Sequence, residues 1–159
     1  KNIYNTLDML SEDELEELSS QYIPNKTNKN KTKSKKISPY CTVFEGIKVA
    51  FGKTSIQNDT LTFDIASKEY IFLHIYNQPG SHVVIMDNNP SSKTLEFAGS
   101  LCLALSKKVD GDIQYTKVKN VKKGSKPGLV IFKNYQSFYL KNIDLNDVNE
   151  VIKNAKRIN

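Results

Sequence analysis

What the sequence has little of narrows its chemistry first. Cysteine occurs twice, at Cys41 and Cys102. Their separation matches no metal-binding spacing, and both sit among apolar neighbours. Buried free thiols in a reducing, cytoplasmic compartment are therefore expected, with no disulfide frame. Histidine also occurs twice, at His74 and His82, short of the three or four ligands a metal site takes. No apolar run approaches the roughly 20 residues of a bilayer-spanning helix. The longest, Leu101 to Leu105, is broken by Ser106 and two lysines. Gly52-Lys53 is too short to form a phosphate loop. No membrane, metal or other cofactor is expected, and no serine, cysteine or carboxylate is spaced as an activated nucleophile, so no enzyme is expected either. The chain starts at Lys1 without an initiator methionine, which reads as a piece of a longer polypeptide.

Lysine is what the sequence has in quantity. The formal net charge is +6 over 159 residues, divided unevenly. Residues 1 to 23 set Lys1 against Asp8, Glu12, Asp13, Glu14, Glu16 and Glu17, a balance of −5, so the remainder carries +11. A body that basic suits a polyanion, because each lysine docked on a phosphate releases condensed counterions. A lysine-rich composition spent on solvated surface explains the same figure.

Three regions follow along the chain. In residues 1–23, Leu7, Leu10, Leu15, Leu18 and Tyr22 keep near one helical stripe. Ser11 to Glu14 fits a capping box, with carboxylates at the positive end of the helix dipole. Residues 24–38 open on Pro24 and hold Lys26, Lys29, Lys31, Lys33, Lys35 and Lys36 without an acid, a composition that cannot offset the entropy of ordering. They read as a flexible tether, either a loose grip on nucleic acid or a solvated linker.

Residues 39–159 read as one mixed α+β domain with a mostly antiparallel sheet. Cys41 to Glu45 and Ile47 to Phe51 form a hairpin about Gly46. Ser55 to Ala66 fits a short helix through Ile56, Leu61 and Ile65, or a strand through Leu61, Phe63 and Ile65. Ile71 to Tyr76 and His82 to Met86 are strands joined across Gln78-Pro79-Gly80-Ser81, which brings the two histidines close. A helix opens with Ser91 as its cap and runs to about Lys107, its inward face formed by Leu95, Ala98, Cys102 and Leu105, with Ala98 and Gly99 allowing close packing. Strands at Ile113 to Val118, Leu129 to Phe132 and Ser137 to Leu140 precede a last helix over Asn146 to Ala155.

Two constellations carry chemistry. His74 and His82 flank a turn and suit either hydrogen bonding within it or acid–base work. Lys117, Lys119, Lys122, Lys123 and Lys126 cluster beside Tyr115 and end at Pro127-Gly128. Tyr115 and Lys117 share a strand face, and the loop from Lys119 to Lys126 would extend that charge. Cations beside an aromatic suit phosphates and a stacked base, or a solvated loop.

Several strings, in order, resemble one family. They are Phe51-Gly52-Lys53, Gln57-Asn58-Asp59 with Leu61-Thr62-Phe63, Leu73-His74, Pro79 to Ile85, Tyr115-Thr116 through Val121-Lys122-Lys123, and Lys126-Pro127-Gly128. From Pro39 to Lys141 the chain is similar to the C-terminal RNA-binding domain of the NFACT proteins of ribosome-associated quality control. The resemblance implies contact with tRNA or ribosomal RNA on obstructed large ribosomal subunits. It makes Lys53, Gln57, Asn58, His74, Ser81, His82, Tyr115, Lys122, Lys123 and Lys126 the candidate RNA-binding residues, and residues 1–23 the end of a coiled-coil arm. Family members are also labelled fibronectin-binding proteins, which implies fibronectin as the alternative partner. Tyr70, Phe72 and Tyr76-Asn77 depart from the family pattern around the first histidine.

Overall fold

The computed structural model describes residues 37–158. The helical arm expected over residues 1–23 and nearly all of the linker expected over 24–38 lie outside the described residues.

The chain builds an antiparallel sheet by hairpins. β1 (Tyr40–Phe44) and β2 (Ile47–Phe51) pair from Phe44↔Ile47 to Tyr40↔Phe51. They meet at Glu45 (φ 48) and Gly46 (φ 82). Positive φ at both central residues is the turn that matches strand twist, and glycine takes it at low cost. β3 (Ile71–Ile75) and β4 (Val83–Ile85) pair in register Leu73↔Val83. β5 (Gly111–Lys117), β8 (Gln136–Leu140) and the two-residue β9 (Lys156–Arg157) complete seven strands in the order β8-β5-β3-β4-β2-β1-β9. β6 (Val121–Lys123) and β7 (Val130–Phe132) form a separate hairpin.

Both faces of the central strands are covered, so side chains of period two divide between two cores. Val49, Phe51, Ile71, Leu73, Ile75, Val83 and Ile85 pack against α2 (Ser92–Leu105) and Val148 of α3 (Leu145–Asn154). Their neighbours Ala50, Phe72 and Val84 pack the other way, against Leu61, Val118 and Val121, with Val130 and Phe132 at the margin. This is why Ile71 to Ile75 does not alternate, being apolar at every position except His74.

The ambiguous segment from Ser55 to Ala66 is helical. α1 (Ser55–Asp59) continues into one π-helical stretch, Thr60–Ile65. Thr54 starts it, its Oγ1 accepting from the Gln57 amide at 3.1 Å. A strand would have sent Leu61, Phe63 and Ile65 to one face, yet Leu61 is fully buried and Ile65 is 38% exposed.

α2 starts where expected, with the Ser91 hydroxyl accepting from the Thr94 amide. Its inward surface is broader than the expected stripe, since Leu101, Leu103 and Ala104 are buried with Ala98 and Cys102, whereas Leu95 and Leu105 are only partly covered. Gly99 faces β8. A Cβ there would lie 2.9 Å from both Leu140 Cδ1 and Phe138 Cζ. Gly99→Val is expected to cost about 1–3 kcal/mol of unfolding free energy through overpacking, read as a lower urea midpoint at unchanged slope.

Candidate nucleic-acid interface

Four separate segments meet around one imidazole. His82 is fully buried at the entry to β4. Its Nε2 lies 3.2 Å from the Gly128 carbonyl, and its Nδ1 lies 2.8 Å from Thr62 Oγ1 and 3.1 Å from the Asn58 carbonyl. A neutral ring donating Nε2–H to Gly128 and accepting the Thr62 hydroxyl at Nδ1 satisfies both nitrogens. The π-helical stretch presents Thr62 to the ring; such local widenings recur at functional sites.

The backbone around His82 is tied down as well. Its amide donates to Asn58 Oδ1 at 3.1 Å, and its carbonyl accepts from the Gly52 amide at 3.3 Å. Gln57 Oε1 reaches back to the Lys53 amide at 2.8 Å, a variant of the capping box that fixes the turn bearing Lys53. On the other side, the Gly128 amide donates to Asp59 Oδ1 at 3.1 Å. Burial raises the Asp59 pKa, partly offset by that amide and by nearby Lys123. Gly52 and Gly128 allow the close approach. A Cβ on Gly52 would stand 2.8 Å from the Asn58 amide nitrogen, and one on Gly128, at φ +84, would stand 3.0 Å from Ser55.

The ten expected residues therefore divide by role. Gln57, Asn58, Ser81 and His82 are buried, and the first, second and fourth spend their polar groups inside the protein. Lys122, Lys123 and Lys126 are exposed on the hairpin that Gly128 pins to His82. Lys53 is half-buried, its Nζ 4.4 Å over the Tyr40 ring, while Lys123 Nζ lies 5.5 Å over Phe63. His74 is half-buried, donating from Nδ1 to the Ile75 carbonyl at 2.7 Å, a bond local to the turn. The two imidazoles are close, with centroids 5.9 Å apart, and Phe72 lies edge-on to His82 at 5.0 Å. Among the described residues no group of three or more His, Cys, Asp or Glu is placed to hold a metal ion.

One expectation needs correcting. The chain from Lys119 to Lys126 is not a loop continuing the charge of β5. Val118–Asn120 is a 3-10 turn, and Val118 and Val121 are buried in the second core. Tyr115 packs with the first core, its hydroxyl donating to Gln136 Oε1 at 2.6 Å, so it is parted from Lys122, Lys123 and Lys126. Lys117 and Lys119 instead both bind Glu69, at 2.9 and 3.3 Å, and those bonds hold its carboxyl below the usual range. Beside them a groove of about 780 Å³ opens just before the start of β8, lined in part by Lys133, Asn134 and Tyr135, residues that no sequence motif marks.

A model of the NFACT protein RNA binding domain matches residues 36–134. The chain belongs to this family. All ten candidate residues and the whole His82 junction fall inside the matched span. The NFACT domain is 32% identical over 139 residues to the Rqc2 homolog RqcH of Bacillus subtilis, covering 82% of this chain and 24% of that protein. It is 36% identical over 91 residues to the RqcH of Streptococcus suis, covering 54% and 16%. It thus spans a quarter or less of these relatives. A solved structure, the C-terminal part of the fibronectin/fibrinogen-binding protein from Streptococcus suis, shares the fold at TM-score 0.75 and 24% identity, over 94% of this chain and 64% of that one.

Burial pushes the His82 pKa down to about 3, with His74 adding to the effect, and pushes that of His74 down as well. The unfolded chain takes protons on these rings below their ordinary pKa of 6.5, whereas the folded NFACT domain holds His82 neutral until about pH 3. Stability is thus complete above pH 6.5 and declines as the pH falls through that window. Between pH 6.5 and 5, a ring so shifted is expected to remove about 1–2 kcal/mol. Urea unfolding across that range checks it, and His82→Gln should flatten the slope. Gly52→Ala, which drives a methyl into the Asn58 backbone, is expected to cost about 1–3 kcal/mol in the same assay.

Proposed function

We propose that this domain is a non-catalytic RNA grip of a ribosome-associated quality-control protein, holding tRNA or ribosomal RNA on obstructed large subunits through Lys53, Lys122, Lys123 and Lys126. The observation that carries this reading is the tie between two basic turns. Gly52-Lys53 and Lys126-Pro127-Gly128 are far apart in sequence, yet both are anchored to His82, at 3.3 and 3.2 Å. Cations on a fixed frame meet phosphates without first losing loop entropy. The membership in an RNA-binding family and the relatives' place among RqcH proteins support the choice of RNA as the polyanion.

On this reading the buried candidates act by positioning. Gln57, Asn58 and His82 hold the turns, and Lys53 and the hairpin lysines touch phosphate. His74, beside the His82 ring, is the one imidazole with surface left to meet RNA. The non-catalytic assignment draws support from His82, whose ring nitrogens both have protein partners.

Phosphate contacts make affinity fall with salt. Lys122→Ala, Lys123→Ala and Lys126→Ala combined are expected to weaken binding to tRNA and to large-subunit RNA fragments alike. They should also reduce the slope of log affinity against log salt by about 0.7 for each phosphate that is no longer neutralised, as for single strands. Fluorescence polarisation across a salt series, with cosedimentation on large subunits, measures both. An unchanged slope in the triple variant would sink the assignment. The adhesin reading, suggested by the name of the solved neighbour, is tested on immobilised fibronectin in the same buffers.

A further inference from the structure

The groove beside β8 is built from parts that the His82 junction does not use. β5 pairs with β8 only as far as Tyr115↔Gln136, so Thr116 and Lys117 run past the start of their neighbour. The space left at that sheet edge is bounded by the Asn88-Asn89 turn, the Asn120 turn and the Lys133–Gln136 segment. Its volume of about 780 Å³ lies within the range of small-ligand sites.

The lining is selective in kind. Five of the fourteen lining residues carry carboxamides, and their partners leave specific groups over. Asn120 uses its Nδ2 on Thr116 Oγ1 at 2.9 Å, and Gln136 uses its Oε1 on Tyr115, leaving an oxygen on the first and an amino group on the second. The side chains of Asn88, Asn89 and Asn134 make no hydrogen bond among the described residues. Carboxamides offer a donor and an acceptor side by side, the pattern that the edge of an unpaired base presents. Tyr135, 44% exposed and edge-on to Phe132, supplies a ring face at the rim.

Charge completes the set. Lys117, Lys119 and Lys133 line the groove, and among the described residues Lys133 has no ion pair. Glu69, exposed to water, bridges the other two. Exposed ion pairs are weak, so a phosphate that offers both lysines more charge can displace this carboxylate.

We propose that this groove binds a single unpaired nucleotide of RNA, with the base stacked on Tyr135 and read by the carboxamides, and the phosphate on Lys117, Lys119 and Lys133 in place of Glu69. The inference rests on the RNA-binding reading above and adds a second, base-contacting site to a phosphate-contacting one. An acidic peptide would use the lysines but leave the carboxamides and the tyrosine idle.

The 159-residue chain would be titrated with a fluorescent single-stranded hexanucleotide RNA carrying 2-aminopurine, with an RNA duplex of equal charge, and with polyglutamate. Tyr135→Ala is expected to weaken single-strand binding roughly tenfold and abolish the 2-aminopurine response, with duplex affinity within about twofold. Glu69→Gln is expected to tighten single-strand binding about threefold or more, a gain that damage to the fold would not produce. The lysine triple variant of the hairpin should weaken single strand and duplex together. Equal loss of both RNAs in Tyr135→Ala, no gain in Glu69→Gln, or polyglutamate binding as tightly as the single strand would each overturn the groove. If the wild-type chain bound neither RNA, the RNA reading would fall and the groove with it.

Discussion

A neutral imidazole sealed inside the protein organises most of what lies on its basic surface. Burying His82 without partners would cost several kcal/mol, and a protonated ring there would cost more. The cost is avoided only if Gly128 and Thr62 both come to the ring, from sequence separations of 46 and 20 residues, while Asn58, 24 residues away, holds the His82 amide. The requirement runs outward. Thr62 needs the π-helical stretch, Asn58 needs Gly52 without a side chain, and Gly128 needs the hairpin laid against α1. Remove the ring and the Gly128 carbonyl and the Thr62 hydroxyl lose their partner together, a network whose members are worth more jointly than singly.

The second constraint is a sheet covered on both sides. α2 and α3 occupy one face; the π-helical stretch and the β6–β7 hairpin occupy the other. Lysines adjacent in sequence are thereby dealt to different places. Lys117 and Lys119 meet Glu69 at the sheet edge, and Lys122, Lys123 and Lys126 ride on the hairpin, because Val118 and Val121 plug the chain between them into the second core. A net charge says nothing about such a division.

Local features were legible in advance and distant ones were not. The Gly46 hairpin, the Pro79-Gly80 turn that juxtaposes the histidines, the Ser91 cap and the last helix each follow from signals within a few residues, and the α+β, mostly antiparallel class follows from their sum. The role of His82 escaped because its partners are dispersed; a histidine beside a turn looks the same whether it faces solvent or a closed pocket. Thr62 falls in one of the family-like strings, between Leu61 and Phe63, but nothing local tells a buried hydroxyl that meets a ring from one in solvent. The groove before β8 was hidden for another reason: asparagine is common throughout this chain, so Asn88, Asn89, Asn120 and Asn134 are notable only once the fold collects them. The family resemblance pointed to segments inside the matched span but could not tell its buried residues, such as Gln57, Asn58 and His82, from exposed ones, such as Lys122, Lys123 and Lys126.

β9 has a mechanical consequence. It pairs with the first residues of β1, Tyr40↔Arg157 and Cys41↔Lys156, and the Ile158 amide donates to the Pro39 carbonyl at 2.9 Å. The chain therefore enters and leaves the sheet at one corner, where Arg157 also lies 4.9 Å from the centre of the Tyr40 ring and donates to the Ser38 carbonyl. Tension applied between Ser38 and Ile158 would load these few bonds one after another, as a zipper opens, and not in parallel as in shear. The sheet behind them, including the frame that carries the lysines, would feel little of that pull until the corner had opened.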